Sequence, residues 1–163
     1  MTRITELTAE WLDETAQLTA AFRVELNGYK GIASRPNAEA GRAELLEYQQ
    51  AGYPVYVALE SGKAVGYVVC RIDEPCVWVE SLFVKAENRR SGIASALFAK
   101  AEEIAASYGE EMVYNYVHPN NDGMIAFLRK RGYCVLNLIE IRKPYAGETL
   151  NTKIRVQHNE FDY

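Results

Sequence analysis

Two arginines, a serine and a glycine stand directly before a helix-like run, in the stretch Asn88-Arg-Arg-Ser-Gly-Ile-Ala-Ser-Ala-Leu-Phe98. A helix N-terminus carries unpaired N–H groups and a partial positive charge, and a glycine lets the backbone approach a ligand closely. The amides of residues 90–94 could therefore point at one phosphate group, while the side chains of Arg89 and Arg90 add charge and donors. The chemistry that this stretch predicts is the binding of an anion.

The spacing of the glycines excludes two other phosphate-binding loops. No Gly-Lys-Ser/Thr follows at the distance that a P-loop requires, and Gly-x-Gly-x-x-Gly is absent. One alternative stays open at this point: the arginines are solvated, and Gly92 only eases the turn into the helix.

The composition limits the class of protein. The 163 residues are 48% hydrophobic and 25% charged, which predicts one domain, residues 1–163, with room for a core. A net charge of -4 argues against a nucleic-acid partner. The three cysteines lie in strand-like runs and do not resemble a disulfide framework, and the two histidines offer no zinc spacing. We therefore expect no metal.

The first residues and the hydropathy of the chain indicate the cellular location of the protein. The first residues lack the apolar run of a signal peptide, and no run approaches membrane-spanning length. We therefore expect a cytoplasmic protein with no membrane partner.

The first part of the chain has the pattern of a short strand and two helices. Residues 3–6 form the expected strand, and from Thr8 the apolar residues recur near the 3.6-residue period until Asn27-Gly28. Asn37 is a suitable N-cap for a second helix that runs to about Gln50.

Period-two patterns then predict three strands, over residues 55–60, 64–73 and 76–84. Their connections are short, so we expect an antiparallel meander. The next helix is predicted over residues 92–108, where apolar residues repeat every three or four positions up to Gly109.

The rest of the chain is predicted to alternate strand and helix. A strand is expected over residues 112–118, a short helix from Asn120-Asn121-Asp122 to Gly132, and an extended run over residues 133–142. The strands on either side of the long helix are expected to be parallel. The predicted fold class is α/β (α+β): a mixed, mostly antiparallel central sheet flanked by helices, in the order β-α-α-β-β-β-α-β-α-β.

The polar tail, residues 143–163, lies outside this predicted alternation of strands and helices. Residues 153–156 are expected to add a last strand or to reach a neighbouring subunit, so a homodimer is a hypothesis that the tail suggests.

Two motifs of this sequence, one that begins at Arg89 and one that begins at Asn121, resemble those of the GNAT superfamily of acetyl-CoA-dependent N-acetyltransferases. Arg89-Arg-Ser-Gly-Ile-Ala94 fits the family signature Arg/Gln-x-x-Gly-x-Gly/Ala, after a strand and before an amphipathic helix. Asn121-Asp-Gly-Met-Ile-Ala-Phe-Leu-Arg-Lys-Arg-Gly-Tyr133 resembles the second motif of the family. The resemblance covers residues 55–142, and the order of elements agrees with the one predicted above.

The resemblance implies acetyl-CoA as co-substrate and an amine as acceptor. The signature amides would hold the pyrophosphate, the end of the preceding strand would pair with the pantetheine arm, and the second motif would lie along the pantetheine and the thioester. The residues implied in binding are Leu82, Phe83, Val84, Arg89, Arg90, Ser91, Gly92, Ile93, Ala94, Asn121, Phe127 and Leu128.

Glu80 is the candidate general base for removing a proton from the amine. It is the only ionisable residue of Val77-Trp-Val-Glu-Ser-Leu-Phe-Val84, and apolar surroundings are expected to raise its pKa. Related polyamine-type acetyltransferases look similar here. The alternative is a structural carboxylate bonded to backbone amides or to an arginine.

The general acid is less defined, because Leu128 stands where the family motif has a tyrosine. Tyr116 and Tyr133 are the candidates nearby, and alternation places Tyr114 and Tyr116 on one face of their strand. Packing is the alternative role for each tyrosine. The cysteines have no evident activating partner and are interpreted as core residues.

Two function classes follow from these motifs. The first is an N-acetyltransferase that acts on a small-molecule amine or on a peptide or protein amine. The alternative is a non-catalytic acyl-CoA-binding regulatory protein, which Leu128 favours. The resemblance to the family implies that the acceptor lies along residues 27–42, in which no specificity pattern is evident.

Overall fold

The fold is described for residues 2–163 in a computed structural model, and it divides the chain into two units, one that ends at Phe127 and one that comprises Leu128–Tyr163. The first unit contains five strands and three complete helices: β1 (Arg3–Glu6), α1 (Leu12–Tyr29), α2 (Ala38–Gln50), β2 (Val55–Glu60), β3 (Lys63–Asp73), β4 (Cys76–Val84), α3 (Ile93–Ser107) and β5 (Tyr114–Asn115). A single 3-10 turn, Ala86–Asn88, lies between β4 and α3, and α4 (Asp122–Lys130) spans the boundary of the units.

The sheet has the strand order β1-β2-β3-β4-β5. The pairs from β1 to β4 are antiparallel, and β4 pairs with β5 in parallel. This arrangement confirms the predicted meander and the parallel pair around α3. The sheet is therefore mixed and mostly antiparallel, as the sequence predicted.

Helices cover both faces of this sheet. Neighbouring residues of β3 point to opposite faces: Tyr67 belongs to the core shared with α1 and α2, whereas a Cβ on Gly66 would lie 3.2 Å from Leu97 Cδ1 of α3 and 2.8 Å from Phe83 O. A side chain at position 66 would therefore push α3 away from the sheet. The alternation of β3 fixes which helix lies on which face.

Local signals account for how α1 and α2 begin and meet. The Asn37 side chain accepts a hydrogen bond from the amide of Ala40 at 3.0 Å, which confirms the predicted N-cap of α2. Gly41 lets the two helices approach, since a Cβ there would lie 2.4 Å from Ala16 O. The first helix begins at Leu12 rather than at Thr8, because residues 9–11 form a turn instead.

The end of the chain differs from the prediction. Residues 133–142 were expected to be extended in a strand, but no strand is formed between α4 and Lys153. The second unit instead holds an antiparallel pair, β6 (Lys153–Val156) and β7 (Asn159–Asp162). The predicted strand over residues 153–156 is thus confirmed, whereas the strand over residues 133–142 lacks a partner within the described chain and is not formed.

The prediction for β5 was too long. Only Tyr114 and Asn115 pair with β4, although residues 112–118 have a strand-like sequence. The pairing stops at Asn115 although β4 continues to Val84, and sequence periodicity alone does not contain the information on where two strands separate. None of the helices formed by residues 2–163 is both long enough and apolar enough to cross a membrane.

Candidate functional site

The loop between β4 and α3 presents a row of amides without backbone partners. Within residues 2–163, no backbone carbonyl accepts from the amides of residues 90–95, and the first helical hydrogen bond runs from Ala96 N to Gly92 O at 3.0 Å. Arg90 and Gly92 are both left-handed, with φ values of 66° and 89°. Backbone that alternates in this way curls successive N–H groups towards one point, which suits an anion with several oxygens.

Hydrogen bonds hold this loop in place. The Ser91 hydroxyl donates to Asn88 O at 2.6 Å, and the Asn88 amide group donates to Glu60 Oε2 of β2 at 2.9 Å. The buried side chains of Ile93 and Leu97 fix the first turns of α3 against the sheet. The amides are therefore pre-organised, and an anion would meet them without reordering the chain.

The Arg89 guanidinium binds other groups of the protein and does not point a free donor at a ligand. Its Nε donates to Val84 O at 2.8 Å, and its two terminal nitrogens donate to the Glu25 carboxylate of α1 at 3.0 and 2.8 Å. The guanidinium also lies 5.4 Å from the centre of the Phe83 ring. Arg89 ties α1 to the end of β4, whereas the neighbouring Arg90 is exposed.

An opening lies between β4 and β5. Their parallel pairing comprises only Trp78↔Tyr114 and Val79↔Asn115. From Ser81 to Val84, β4 keeps its pairing with β3 but has no strand on the other side among the described residues. The backbone of Leu82, Phe83 and Val84 is thus open on that side, and the amide row of residues 90–95 follows a few residues after Val84.

Glu80 lies where this opening begins. Val69 and Cys70 of β3 face Ser81 and Val79 of β4, so Glu80 is the extra residue of a β-bulge. Its side chain is 29% exposed, and its Oε2 lies 3.8 Å from Nε of Arg71. The sequence predicted apolar surroundings, and this expectation was wrong: the guanidinium comes from β3, the strand that pairs with β4.

An aromatic cluster surrounds this ion pair. The Trp78 ring lies 4.9 Å from Tyr114 and 4.6 Å from Tyr116, centre to centre, and the Arg71 guanidinium lies 5.0 Å from the centre of Trp78. Tyr114 and Tyr116 thus share a face, as alternation predicted. Tyr116 is 61% exposed, so its hydroxyl is open to solvent beside the opening between β4 and β5.

The C-terminal end of α1 reaches the chain that follows β5. The rings of Tyr29 and His118 are stacked, with their centres 5.9 Å apart, and the Asn120 side chain donates to Tyr29 O at 2.9 Å. Burial and, to a smaller extent, the nearby Lys30 lower the pKa of His118. His118 Nδ1 accepts from the Asn120 amide at 3.2 Å, which also favours a neutral imidazole with its proton on Nε2.

The second motif forms the start and the body of α4. Asn121 caps this helix, since its Oδ1 accepts from the Met124 amide at 3.0 Å. The Phe127 ring packs edge-to-face on Phe98 of α3, with centres 5.5 Å apart. Leu128, the residue at the tyrosine position of the motif, is buried with 7% exposure. An aliphatic side chain there has no proton to donate.

Tyr133 and Cys70 are two further residues that the sequence analysis considered. Tyr133 belongs to the second unit, where its amide donates to Leu128 O at 3.1 Å, and its catalytic role stays a prediction. Cys70 is fully buried, and burial raises the pKa of its thiol to about 12. A thiolate nucleophile is therefore not available there at neutral pH. Within residues 2–163, no group of three or more His, Cys, Asp or Glu side chains is arranged to hold a metal ion.

Two residues of this region were not predicted from the sequence: Arg71 and Trp78. Arg71 carries the ion pair with Glu80, and Trp78 carries the ring cluster. That Arg71 of β3 lies beside Glu80 of β4 could have been predicted only from the register of these two strands. That register includes the bulge at Glu80, which no pattern in the sequence marks.

Comparison of the sequence with known proteins shows the family to which the chain is similar. Residues 14–133 match the acetyltransferase (GNAT) family. An uncharacterized N-acetyltransferase of Methanocaldococcus jannaschii is 32% identical over 89 residues, which cover 48% of this chain and 38% of that relative. The chain therefore spans well under half the length of the curated relative that it matches.

Solved structures share the fold at low sequence identity. The aminoglycoside N-acetyltransferase AAC(6')-Iy in complex with CoA has a TM-score of 0.68 at 19% identity, over 88% of this chain and 95% of that one. The PaiA N-acetyltransferase of Thermoplasma acidophilum in complex with coenzyme A has a TM-score of 0.66 at 22% identity, over 80% and 88%. A ribosomal-protein-alanine N-acetyltransferase of Brucella melitensis biovar Abortus 2308 has a TM-score of 0.67 at 18% identity, over 89% and 99%.

The family match covers most of the chain and includes the amide row, the bulge at Glu80 and α4. The chain therefore belongs to the GNAT acetyltransferase family, as the two motifs indicated.

Proposed function

We propose that this chain is an N-acetyltransferase that moves an acetyl group from acetyl-CoA to a primary amine. One observation carries the proposal: the unpartnered amides of residues 90–95 directly follow the strand β4, whose edge is open from Glu80 to Val84. A pyrophosphate on the amides and an extended pantetheine arm along the open edge would direct the thioester towards Glu80.

The residues proposed to bind acetyl-CoA divide into three groups by position. The open end of β4 supplies backbone groups for the pantetheine amides, the loop and first turn of α3 supply N–H donors for the pyrophosphate, and the second motif in α4 is proposed to contact the arm. These groups are Leu82, Phe83 and Val84; Arg89, Arg90, Ser91, Gly92, Ile93 and Ala94; and Asn121, Phe127 and Leu128. Arg89 acts there by holding α1 to the end of β4, because its amide donates to Ala86 O at 3.2 Å and its guanidinium is bound to Glu25 and Val84.

The reaction is a direct attack of the neutral amine on the thioester carbonyl. The C–N bond forms, the C–S bond breaks, and coenzyme A leaves as a thiolate. The proton that the nitrogen loses passes to the Glu80 carboxylate through a water, for which the 29% exposure of that side chain leaves access.

The need for this base depends on the acceptor. A lysine-type amine with a pKa near 10.4 costs about 4.6 kcal/mol to neutralise at pH 7, whereas an α-amine with a pKa near 8 costs only about 1.4 kcal/mol. A carboxylate at the position of Glu80 is thus most useful to an alkylamine. Small-molecule amines, including aminoglycosides, and peptide amines are the acceptor classes to be compared.

Protonation of the leaving thiolate does not need the family tyrosine. The buried Leu128 cannot supply a proton, and the exposed Tyr116 hydroxyl is the proposed donor beside the opening, with Tyr133 as the second candidate. A thiol with a pKa near 8.5 also leaves without a donor at moderate cost.

A second function is a non-catalytic acyl-CoA-binding protein, and the aliphatic residue at position 128 favours it. Both functions predict that acetyl-CoA binds to the amide row. They differ in turnover, because only the enzyme releases free thiol when an amine is supplied.

The experiment that separates them has two parts on the full chain. Calorimetric titration with acetyl-CoA measures binding, and thiol release is followed with a panel that contains a polyamine, an aminoglycoside, an amino-acid amide and peptides with free N-termini. Binding with amine-dependent release supports the enzyme. Binding with no release on any amine supports the regulatory protein, and absence of acetyl-CoA binding would contradict both.

A further inference from the structure

The Arg71 guanidinium of β3 has hydrogen-bond donors that no described group of the protein accepts. Its Nε is buried without a hydrogen-bond partner, and among residues 2–163 no group accepts a hydrogen bond from its two terminal nitrogens. The carboxylates of Asp73 and Glu80 approach Nε to 3.4 and 3.8 Å, and neither forms a hydrogen bond with it. A partly buried guanidinium whose donors are unused is costly, so the terminal nitrogens indicate a partner outside the chain.

Aromatic rings hold this guanidinium by its faces. Its central carbon lies 5.0 Å from the centre of the Trp78 ring and 5.9 Å from that of Tyr116, and these two rings are stacked within 12° of parallel. Stacking uses the faces of a guanidinium, whereas its N–H bonds lie in its plane. The rings therefore fix the orientation of Arg71 and leave the terminal N–H groups available to a ligand.

The guanidinium lies beside the candidate base, at the start of the opening between β4 and β5. The Arg71 and Glu80 side chains are 26% and 29% exposed, whereas Asp73 is 60% exposed, so water screens the charge of Asp73 more strongly. The less exposed part of the site thus carries one cation and one carboxylate, 3.8 Å apart. Such a pair is complementary to a ligand that carries one positive and one negative group close together.

A free α-amino acid has this pair of charges, because its ammonium and carboxylate groups are bonded to the same carbon. The carboxylate can accept two parallel hydrogen bonds from the terminal nitrogens of Arg71, and the amine then lies on the side of Glu80. A peptide N-terminus carries a neutral amide in place of the carboxylate and would satisfy these charged donors less well. A polyamine would bring a second ammonium group towards Arg71, and like charges repel.

We propose that the acceptor is a free α-amino acid whose carboxylate binds the terminal nitrogens of Arg71 while its amine faces Glu80. This inference rests on the proposed function and names its acceptor. In the transfer, the amine nitrogen bonds to the acetyl carbon, the C–S bond breaks, coenzyme A leaves as a thiolate, and the amine proton passes through a water to Glu80. The product is an N-acetylated amino acid, and Arg71 is a substrate-binding residue that also neighbours the base.

The chemistry of the amine makes this preference measurable. A carboxylate next to an ammonium group favours the charged form, so the amine of a free amino acid has a higher pKa than the amine of the corresponding α-amide. The amide therefore loses its proton more readily, and a site that does not bind the carboxylate should acetylate the amide faster. A preference for the acid over its amide thus reports binding of the carboxylate.

Thiol release by the full chain measures this preference. The acceptors are alanine, phenylalanine, glutamate and lysine, each compared with its own α-amide at a fixed concentration of acetyl-CoA. In the parent, kcat/KM for at least one acid should exceed that for its amide by about tenfold or more. Arg71→Met lowers both rates where Arg71 positions Glu80, but the ratio of acid to amide removes that common loss. This ratio should fall by about tenfold or more in Arg71→Met.

Two further variants complete the experiment. Arg71→Lys keeps the charge but loses the two parallel hydrogen bonds, so its ratio should lie between those of the parent and of Arg71→Met. Arg3→Met is the matched control, because Arg3 is an exposed arginine of β1, at the other edge of the sheet, and its ratio should equal that of the parent. Circular dichroism verifies that each variant keeps its helices. If Arg71→Met does not fold, the ratios of the parent and of Arg71→Lys decide the question.

The outcomes separate this inference from the proposed function. Release with a polyamine, an aminoglycoside or an amide, combined with a ratio at or below one for every amino acid, would overturn the inference alone. A parental ratio in both Arg71→Met and Arg71→Lys would do the same. No release with any amine would contradict the proposed function itself, and the acceptor with it.

Discussion

Arg71 Nε lies 3.8 Å from Oε2 of Glu80, and the same guanidinium lies 5.0 Å from the centre of the Trp78 ring. Asp73 Oδ2 is 3.4 Å from the same nitrogen. The pair joins the bulge of β4 to β3, and it gives the Glu80 carboxylate one defined neighbour at the start of the opening between β4 and β5. We infer that Arg71 positions the candidate base and that the ring cluster positions Arg71.

Glu80→Gln removes the carboxylate while keeping the size of the side chain. If Glu80 accepts the amine proton, kcat/KM for an alkylamine should fall by about 10²-fold or more, with acetyl-CoA affinity unchanged. The fall should be smaller for an acceptor whose amine has a lower pKa, since less proton removal is needed at neutral pH. Steady-state kinetics with both acceptors measure this. Glu10→Gln, on an exposed position, is the control; equal rates in the parent and in Glu80→Gln would show that Glu80 is not the base.

Arg71→Met removes the cation beside Glu80 and keeps much of the apolar contact with Trp78. We expect a lower kcat/KM for the amine and the same acetyl-CoA dissociation constant, because the amide row is not touched. Arg71→Lys should recover only part of the loss, since an ammonium group lacks the planar guanidinium that stacks on an indole ring. If Arg71→Met keeps the parental kinetics and pH profile, Arg71 has no positioning role.

Gly92→Ala should weaken acetyl-CoA binding through the backbone. At a φ of 89°, a side chain introduces strain of about 1–2 kcal/mol, while a Cβ there meets no atom within 4 Å. The strain should shift the amide row that precedes α3. Gly62→Ala in the hairpin turn is the matched control, with a φ of 73° and equally open space.

Both glycine variants should lose a similar free energy of unfolding in urea, but only Gly92→Ala should raise the acetyl-CoA dissociation constant in calorimetry. An equal effect of the two variants on binding would argue that the amide row is not the pyrophosphate site.

Cys70 should make the protein less stable at high pH. Burial raises the pKa of its thiol from 9.0 to about 12, so the folded state keeps a proton that the unfolded chain loses above about pH 9. The free energy of unfolding should then fall by about 1.4 kcal/mol for each pH unit between those two values, in addition to losses from other groups. Urea titrations across this range in the parent and in Cys70→Ala measure the difference in slope.

Thiol labelling provides the corresponding accessibility test. Cys134 is exposed and Cys70 is buried, so a thiol reagent at neutral pH should label Cys134 and reach Cys70 only after unfolding. Fast labelling of Cys70 in the folded protein would contradict its assignment as a core residue.

The elements of the first unit could be predicted because their signals are local. The cap at Asn37, the period of α3 and the stop at Gly109 each depend on a few neighbouring residues. Short connections between β2, β3 and β4 left the meander as the simplest topology. The candidate base could be chosen for the same reason, since Glu80 is the only carboxylate in its strand.

An arginine beside Glu80 was one of the alternatives that the sequence left open, but which arginine it is could not be predicted. Arg71 meets Glu80 because β3 and β4 pair with a shift between Val69 and Cys70, and a register shift has no mark in a single sequence. The role of Arg89 was interpreted as a phosphate contact, but Glu25, which lies 64 positions away in the chain, binds its guanidinium. Which groups a side chain binds depends on the packing that brings distant residues close together.

The sequence by itself determined the family, the helix entrance at Gly92 and most of the order of the elements, because caps, glycines and apolar periods act over a few residues. Only the tertiary structure decided that β5 is two residues long, that Arg71 accompanies Glu80 and that residues 134–141 have no strand partner among residues 2–163. Each of these depends on which strands are adjacent and in what register, and that is settled by contacts between residues distant in the chain.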